Sequence, residues 1–289
     1  METKILHQPV LLNQTIDFLN VSKGERYIDA TVGDGGHSQK ILESGGRVLG
    51  IDVDPAAIEF VKKRFLGNPN FIAARGNFSR LAEIAQKNNF DQVGGILFDL
   101  GVSWRQLDDK ARGFSFQSEF ELDMRMDPSL AIKAKDLINN FDERRLDEIF
   151  ERFGQVRDSR RIVHRIICAR REKPIESCRQ LAEIVQTAAG RRRGKIHPAT
   201  KIFLALRIVV NSELENLKEA LPQLVELLKE KGRLVVISFH SLEDRIVKDF
   251  FKRDSRLLVL TKKPVVPSID EISANPKARS AKLRVAKRI

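Results

Sequence analysis

The chain of 289 residues reads as an α/β protein, a doubly wound and mostly parallel sheet interrupted by an inserted all-helical domain. Three observations predict this. Short apolar runs alternate with amphipathic helix-length stretches over residues 26–99. That alternation stops over 109–202, where only helical periods occur. Strand character then returns at 233–239, just after Gly232. The division that follows places residues 1–108 and 203–289 in a sheet domain and 109–202 in the helical one.

The elements follow in order. Pro9-Val10-Leu11-Leu12 leads into an amphipathic helix ending near Phe18, and Tyr27-Ile28-Asp29 is the first strand. A turn carrying Gly33, Gly35 and Gly36 opens a helix near His37, and Arg47-Val48-Leu49-Gly50-Ile51-Asp52 is the second strand. Asp54 as N-cap and Pro55 behind it start a third helix, with Ile58, Val61 and Phe65 on one face and Gly67 at its end. Residues 70–74 form the third strand, 79–87 a helix, and Val93-Gly94-Gly95-Ile96-Leu97-Phe98-Asp99 a buried fourth strand. In the insertion, helical periods run over 142–150, 160–171 and 180–189. Arg191-Arg192-Arg193-Gly194-Lys195 is a loop of dense positive charge, and a long helix over 198–229 is interrupted or capped near Pro222. Ser241-Leu242-Glu243-Asp244 has the form of a capping box, and 257–260 and 281–286 are the last strands.

In such a sheet ligands bind beyond the carboxyl ends of the strands. The turn at Gly33, Gly35 and Gly36 lets backbone approach a ligand closely, and the helix behind it points unpaired N–H groups into the turn. Asp52, seventeen residues past Gly35, is placed to accept both hydroxyls of a ribose. A dinucleotide fingerprint wants a third glycine where Ser38 stands. Asp34 inside the turn suits the positive sulfonium of S-adenosylmethionine better than a pyrophosphate. The other reading of the same residues is a tight structural turn.

Asp99 leaves the fourth strand where a substrate meets that cofactor. An exocyclic amine on a base is a weak nucleophile because its lone pair is delocalised into the ring. A carboxylate that accepts its N–H groups would orient it towards a methyl sulfonium. Asp99 is the candidate for that role, or for fixing the cofactor, or for capping the next turn. Phe78 either stacks on an adenine or fills core. His37 either touches the cofactor carboxylate or caps its helix. His240 either lines the substrate pocket or sits in a turn. Trp104, the single tryptophan, either stacks on a base or covers the pocket mouth.

A net charge of +12 points to a polyanionic partner. Residues 157–207 hold fourteen Lys and Arg against four Asp and Glu, and 274–289 hold six against none, so these two segments carry the whole excess. Concentration of charge in this way favours contact with phosphates over general solubility. Cys168 and Cys178 are too far apart for a C-x-x-C motif, and the five histidines show no ligand spacing, so no metal is expected. Residues 1–20 lack a leader pattern and no apolar run could span a bilayer, which predicts a reduced, cytoplasmic protein with no membrane partner.

With these residues laid out, the chain resembles the bacterial 16S ribosomal RNA cytosine-N4 methyltransferase family. The likeness covers nearly the whole chain in order. It runs through His7-Gln8-Pro9-Val10-Leu11-Leu12, Asp29 to Ser38, Asp52-Val53-Asp54-Pro55, Asp99-Leu100-Gly101-Val102-Ser103 and Gln106-Leu107-Asp108-Asp109. Further on come Arg112-Gly113-Phe114-Ser115-Phe116, Leu122 to Asp127, His197-Pro198-Ala199-Thr200, Arg207 to Leu214, Ser238 to Arg245 and Asn275 to Ser280. The resemblance implies a class I, Rossmann-like methyltransferase fold, S-adenosylmethionine as cofactor, and methyl transfer to N4 of a cytosine in the decoding region of 16S ribosomal RNA. By motif position Gly33, Gly35, Gly36 and His37 hold the amino-acid end of the cofactor, Asp52 its ribose and Phe78 its adenine, with Asp99 and Gln106 beside the methionine moiety. The substrate would be the RNA or the small ribosomal subunit, acted on by a monomer or homodimer; the charge pattern offers Arg191, Arg192, Arg193 and Lys195 to bind it, and the strand-end position offers His240. Trp104-Arg105 departs from the family pattern, where Ser-Pro is expected before Gln106. Two other classes fit less of the chain. A nicotinamide oxidoreductase would need a hydride site that the sequence does not offer, and a non-catalytic ribosome-assembly protein would have no use for Asp52 and Asp99.

Overall fold

The computed structural model describes residues 9–190 and 197–289. Its first elements are α1 (Leu12–Leu19), β1 (Arg26–Asp29), α2 (Gly36–Glu43), β2 (Arg47–Asp52), α3 (Pro55–Arg64), β3 (Phe71–Arg75), α4 (Leu81–Lys87) and β4 (Val93–Asp99). Then follow α5 (Trp104–Asp108), α6 (Ala134–Asn140), α7 (Glu143–Arg152), α8 (Ser159–Glu172), α9 (Cys178–Ala189), α10 (Ala199–Asn211) and α11 (Glu213–Leu227). The chain closes with β5 (Leu228–Ser238), α12 (Ser241–Arg253), β6 (Leu257–Val259), α13 (Ile269–Ala274) and β7 (Lys282–Arg288). It divides into a sheet unit, Met1–Trp104 with Leu214–Ile289, and a helical unit, Arg105–Glu213.

In the sheet unit the strand order is β3-β2-β1-β4-β5-β7-β6. Strands β1 to β5 pair in parallel, while β7 runs antiparallel between β5 and β6. This is the doubly wound, mostly parallel sheet of a Rossmann-like fold, as the sequence predicts. Side chains alternate across it with the period of two that a strand imposes. Ile96, Phe98, Leu234 and Val236 pack into one buried cluster with Leu221, Leu224 and Phe251. Leu97, Val235 and Ile237 face the other side, with Leu11, Leu19 and Ile41. Both faces of the sheet are therefore covered, as near-continuous apolar strands require. Asp54 caps α3, accepting from the Ala56 N–H at 3.0 Å, with Pro55 behind it.

The helical unit has its own core, built from Leu137, Leu146, Phe150, Val163, Leu181 and Leu206 among others. Among its described residues the only β pairing is an isolated bridge between Glu121 and Ser177. Asn211 ties α10 to the loop before α6, donating to the Met124 carbonyl at 2.8 Å and accepting from the Met126 N–H at 2.7 Å.

Three expectations are corrected. The helix over 198–229 is two helices. Ser212, in the left-handed region at φ 49°, closes α10, whereas Pro222 lies inside α11 without ending it. The unit boundary moves with that break. It falls after Glu213, not after residue 202, because Ile202, Phe203 and Leu206 of α10 are buried in the helical core. At the other end it falls after Trp104 instead of residue 108. Among the described residues no helix is long and apolar enough to cross a membrane.

Candidate active site

Parallel pairing in register brings the carboxyl ends of β1, β2, β4 and β5 to one edge of the sheet unit, and three of those ends carry acids. Asp29 ends β1, Asp52 ends β2 and Asp99 ends β4. Asp29 is buried and works inward: Ser38 Oγ donates to its Oδ2 at 2.7 Å, fastening the first turn of α2 to the strand. Burial pushes its carboxyl up to about 6, against the pull of the Ser38 and Thr31 hydrogen bonds.

Asp52 shapes the glycine turn. Its Oδ2 accepts the Gly33 N–H at 3.0 Å and its Oδ1 the Asp54 N–H at 2.9 Å. A carboxylate has about four acceptor positions, so capacity remains on both oxygens. Burial raises this carboxyl to about 6 as well, with Asp54 and Asp29 adding to the rise.

The glycines are needed for different reasons. Gly35 is left-handed at φ 77°, and a Cβ there would stand 2.8 Å from Phe65 Cε2. A Cβ on Gly36 would stand 2.2 Å from Pro9 Cγ. At both positions the protein's own side chains stand where a side chain would have to go. Gly33 alone keeps an open side, its nearest neighbour being Ser103 Cβ at 3.6 Å from a built Cβ.

His37, in the first turn of α2, is buried. Its Nε2 lies 3.1 Å from the Val10 carbonyl oxygen and its Nδ1 3.8 Å from Asp99 Oδ2. Burial lowers the imidazole to about 4. Asp99 is held through its backbone, the N–H donating to Thr31 Oγ1 at 2.7 Å. Its Oδ1 is buried with no hydrogen-bond partner among the described residues, although a quarter of the side chain remains open to solvent. Burial pushes this carboxyl up to about 8, and the nearby Asp29 and Glu243 add to the rise. An unpartnered acceptor at the carboxyl end of a central parallel strand is a place for a donor or a positive charge to bind.

Phe78 begins the short 3-10 turn Phe78–Arg80 and meets Phe98 edge-on, ring centroids 5.2 Å apart. It is half-buried and packs against the core. His240 caps α12: its Nδ1 accepts the Glu243 N–H at 3.4 Å, and Glu243 Oε2 accepts from Phe239 and His240. The capping box thus begins one residue earlier than the sequence suggested, since Glu243 is the buried partner at the third helical position. Trp104 is exposed, with Lys277 Nζ 3.3 Å above its ring. Gln106 is buried in α5 and belongs to the helical unit. Arg191, Arg192, Arg193 and Lys195 lie outside the described residues.

Two contributors were not singled out from sequence, Thr31 and Glu243. Glu243 left a trace there as part of the capping pattern. Thr31 left none, because its role depends on β1 and β4 lying side by side. The basic stretch at the carboxyl terminus is also partly spent within the fold. Arg284 pairs with Asp244 at 2.6 Å, and Arg288 donates to the Glu226 and Leu228 carbonyls. Both sit on β7, whose place between β5 and β6 turns these side chains inward.

The sequence model of the MraW methylase family matches residues 4–289. A relative from Thermomicrobium roseum, named ribosomal RNA small subunit methyltransferase H, is 48% identical over 98% of this chain and 94% of its own length. Relatives of the same name from Coprothermobacter proteolyticus and Carboxydothermus hydrogenoformans are each 44% identical. The first covers all of this chain and 98% of its own length, the second 98% of both.

Proposed function

Because the chain belongs to the MraW methylase family, whose methyl donor is S-adenosylmethionine, we propose that it methylates N4 of a cytosine in the decoding region of small-subunit ribosomal RNA. The observation that carries this reading is Asp99, a carboxylate at the end of β4 with a buried oxygen that nothing in the described protein satisfies. S-adenosylmethionine supplies an electrophilic methyl group on a positively charged sulfur.

The residues divide the work. Asp52 offers its remaining acceptor capacity to the ribose hydroxyls, while the Gly33 N–H it already holds keeps the turn in shape. Gly33, Gly35, Gly36 and His37 border the amino-acid end, and Phe78 presents a ring edge braced by Phe98 to the adenine. Asp99 would accept an N–H of the target base's N4 amine at Oδ1, which orients the lone pair, and would take one amine proton when N4 bonds to the methyl carbon and the carbon–sulfur bond breaks, its electron pair staying on the sulfur, which becomes neutral. A positive charge beside Asp99 lowers its pKa from the raised value of the free protein, so cofactor binding prepares the acceptor. The base must leave its stack to reach this edge, at a cost of a few kcal/mol. Arg191, Arg192, Arg193 and Lys195 grip RNA phosphates from the helical unit.

Mass spectrometry of small-subunit RNA from cells with and without the gene tests this directly. One methyl group on a cytosine N4 should disappear without the gene. Identical RNA from both would overturn the reading.

A further inference from the structure

The sheet unit has a second concave feature besides the glycine turn. A cavity of about 350 Å³ lies between α12, the end of β6 and β7. Its floor is Phe251, Val259 and Thr261, and its rim carries Lys248, Lys252 and Lys262. No carboxylate lines it. Arg284 also reaches the wall, but it is committed to Asp244, donating at 2.6 and 3.2 Å to the two oxygens. Lys282, 3.6 Å away, takes up what remains of that acid's charge. Lys248 approaches Asp249 at 3.8 Å, whereas Lys252 and Lys262 form no ion pair among the described residues. Three ammonium groups thus surround one cavity with too little negative charge to balance them, an arrangement that repels itself until an anion enters.

The chemistry of the walls narrows the anion. Lysine ammoniums act as point charges well suited to phosphate. Phe251 is buried, so no ring face is offered for a base to stack on. A site with cations on its rim and only a small apolar floor reads a sugar-phosphate backbone and not a base.

Its position relates it to the methylation edge. From β4, which ends in Asp99, the sheet runs outward through β5 and β7 to β6. Three strand spacings make about 14 Å. Asp99 is level with Ile237, which is level with Leu283. The cavity wall lies slightly further back along the strands, Arg284 being level with Phe98 and Val259, opposite Ala286, with Ile96. A few nucleotides of single strand span that distance.

We propose that the cavity rimmed by Lys248, Lys252 and Lys262 holds a backbone phosphate of the RNA strand whose base enters at Asp99. The inference rests on the RNA-methylating reading above and adds to it a fixed anchor on the sheet unit. Holding the strand there offsets part of the cost of extracting the base, since the flanking backbone is already immobilised.

The test compares wild type with Lys252→Gln/Lys262→Gln and with Lys63→Gln/Lys87→Gln, the latter two being exposed lysines on α3 and α4. Binding of a small-subunit RNA fragment is measured across salt concentrations, with S-adenosylmethionine binding and methyl transfer measured alongside. The cavity variant should bind RNA about tenfold more weakly, and its log–log salt slope should flatten by about 0.7 for the lost phosphate contact. Its affinity for S-adenosylmethionine should not change. A slope and affinity equal to those of the control variant, in a protein whose wild type methylates the RNA, would overturn the anchor and leave the proposed function standing. If the wild type transfers no methyl group to this RNA, the functional reading falls and the anchor falls with it. Protection of Lys252 and Lys262 from acetylation by inorganic phosphate or a mononucleotide as strongly as by the RNA would also overturn it, in favour of a free phosphate ligand.

Discussion

His37 turns Nδ1 towards Asp99 Oδ2 at 3.8 Å while its Nε2 faces the Val10 carbonyl at 3.1 Å. Only a donor can satisfy that carbonyl, so the single proton of the neutral ring sits on Nε2. Burial, which takes the imidazole down to about 4, keeps it neutral. Asp99 therefore faces a lone pair and not a cation, and nothing here offsets the burial that raises its carboxyl to about 8. Below that value the free protein holds Asp99 protonated and unable to take the amine proton. The expected consequence is a kcat/KM for S-adenosylmethionine, which reports the cofactor-free protein, that rises with pH through about 8 and then levels. Asp99→Asn should lose this limb and slow transfer by about 100-fold or more. A tritiated-methyl assay across that range checks it, and an unchanged limb in the variant would assign the titration to another group.

The raised acids also set a pH dependence of stability. Asp29 and Asp52 are raised to about 6 and Asp99 to about 8, all above their value of 3.8 in the unfolded chain. The folded state then holds protons that the unfolded state releases. Their contribution is full below the unfolded value and is lost as pH rises through the folded ones. Asp99→Asn should raise Tm clearly above pH 8 and hardly at all near pH 4, as differential scanning fluorimetry would show.

Gly36→Ala places a Cβ 2.2 Å from Pro9 Cγ and should destabilise the sheet unit by about 1–3 kcal/mol. Pro9→Ala removes the opposing atom, so the double variant should recover much of the loss in urea unfolding. No recovery would show that the glycine is needed for something other than this contact.

Arg284 and the part-buried Asp244 form an ion pair with two hydrogen bonds, and Arg284→Met should cost about 1.5–3 kcal/mol because it leaves Asp244 with Lys282 at 3.6 Å as its one remaining cation among the described residues. Burial alone would raise the Asp244 carboxyl, but the Arg284 hydrogen bonds and charge, with Lys282, hold it below the usual range. Its stabilising contribution is therefore present above the ordinary carboxylate value and lost as pH falls through the lowered one. The difference between wild type and variant, measured by denaturant midpoints, should shrink in acid.

Replacing Arg191, Arg192 and Arg193 with Ala should weaken RNA binding across sequences and flatten the salt slope, by about 0.7 for each phosphate contact removed from a single strand. An unchanged slope would mean that these arginines do not meet phosphates.

Local chemistry decided much of this protein before any folding. Short apolar runs set the strands, Asp54-Pro55 set a helix start, and Gly33, Gly35, Gly36, Asp52 and Asp99 marked the strand ends, because caps, turns and apolar runs depend on neighbours in the chain. Other features depend on which distant segments meet. Gly35 and Gly36 serve Phe65 and Pro9, and Thr31 holds the backbone of Asp99 across two strands. Arg284 turns inward onto Asp244, and α10 joins the helical core. The chemical character of Asp99 was settled in the same way. The sequence alone placed an acid at the end of β4, but only packing that excludes water from Oδ1 and brings Asp29 and Glu243 near could make it hold its proton to about 8, since desolvation and charge proximity are properties of three-dimensional neighbours.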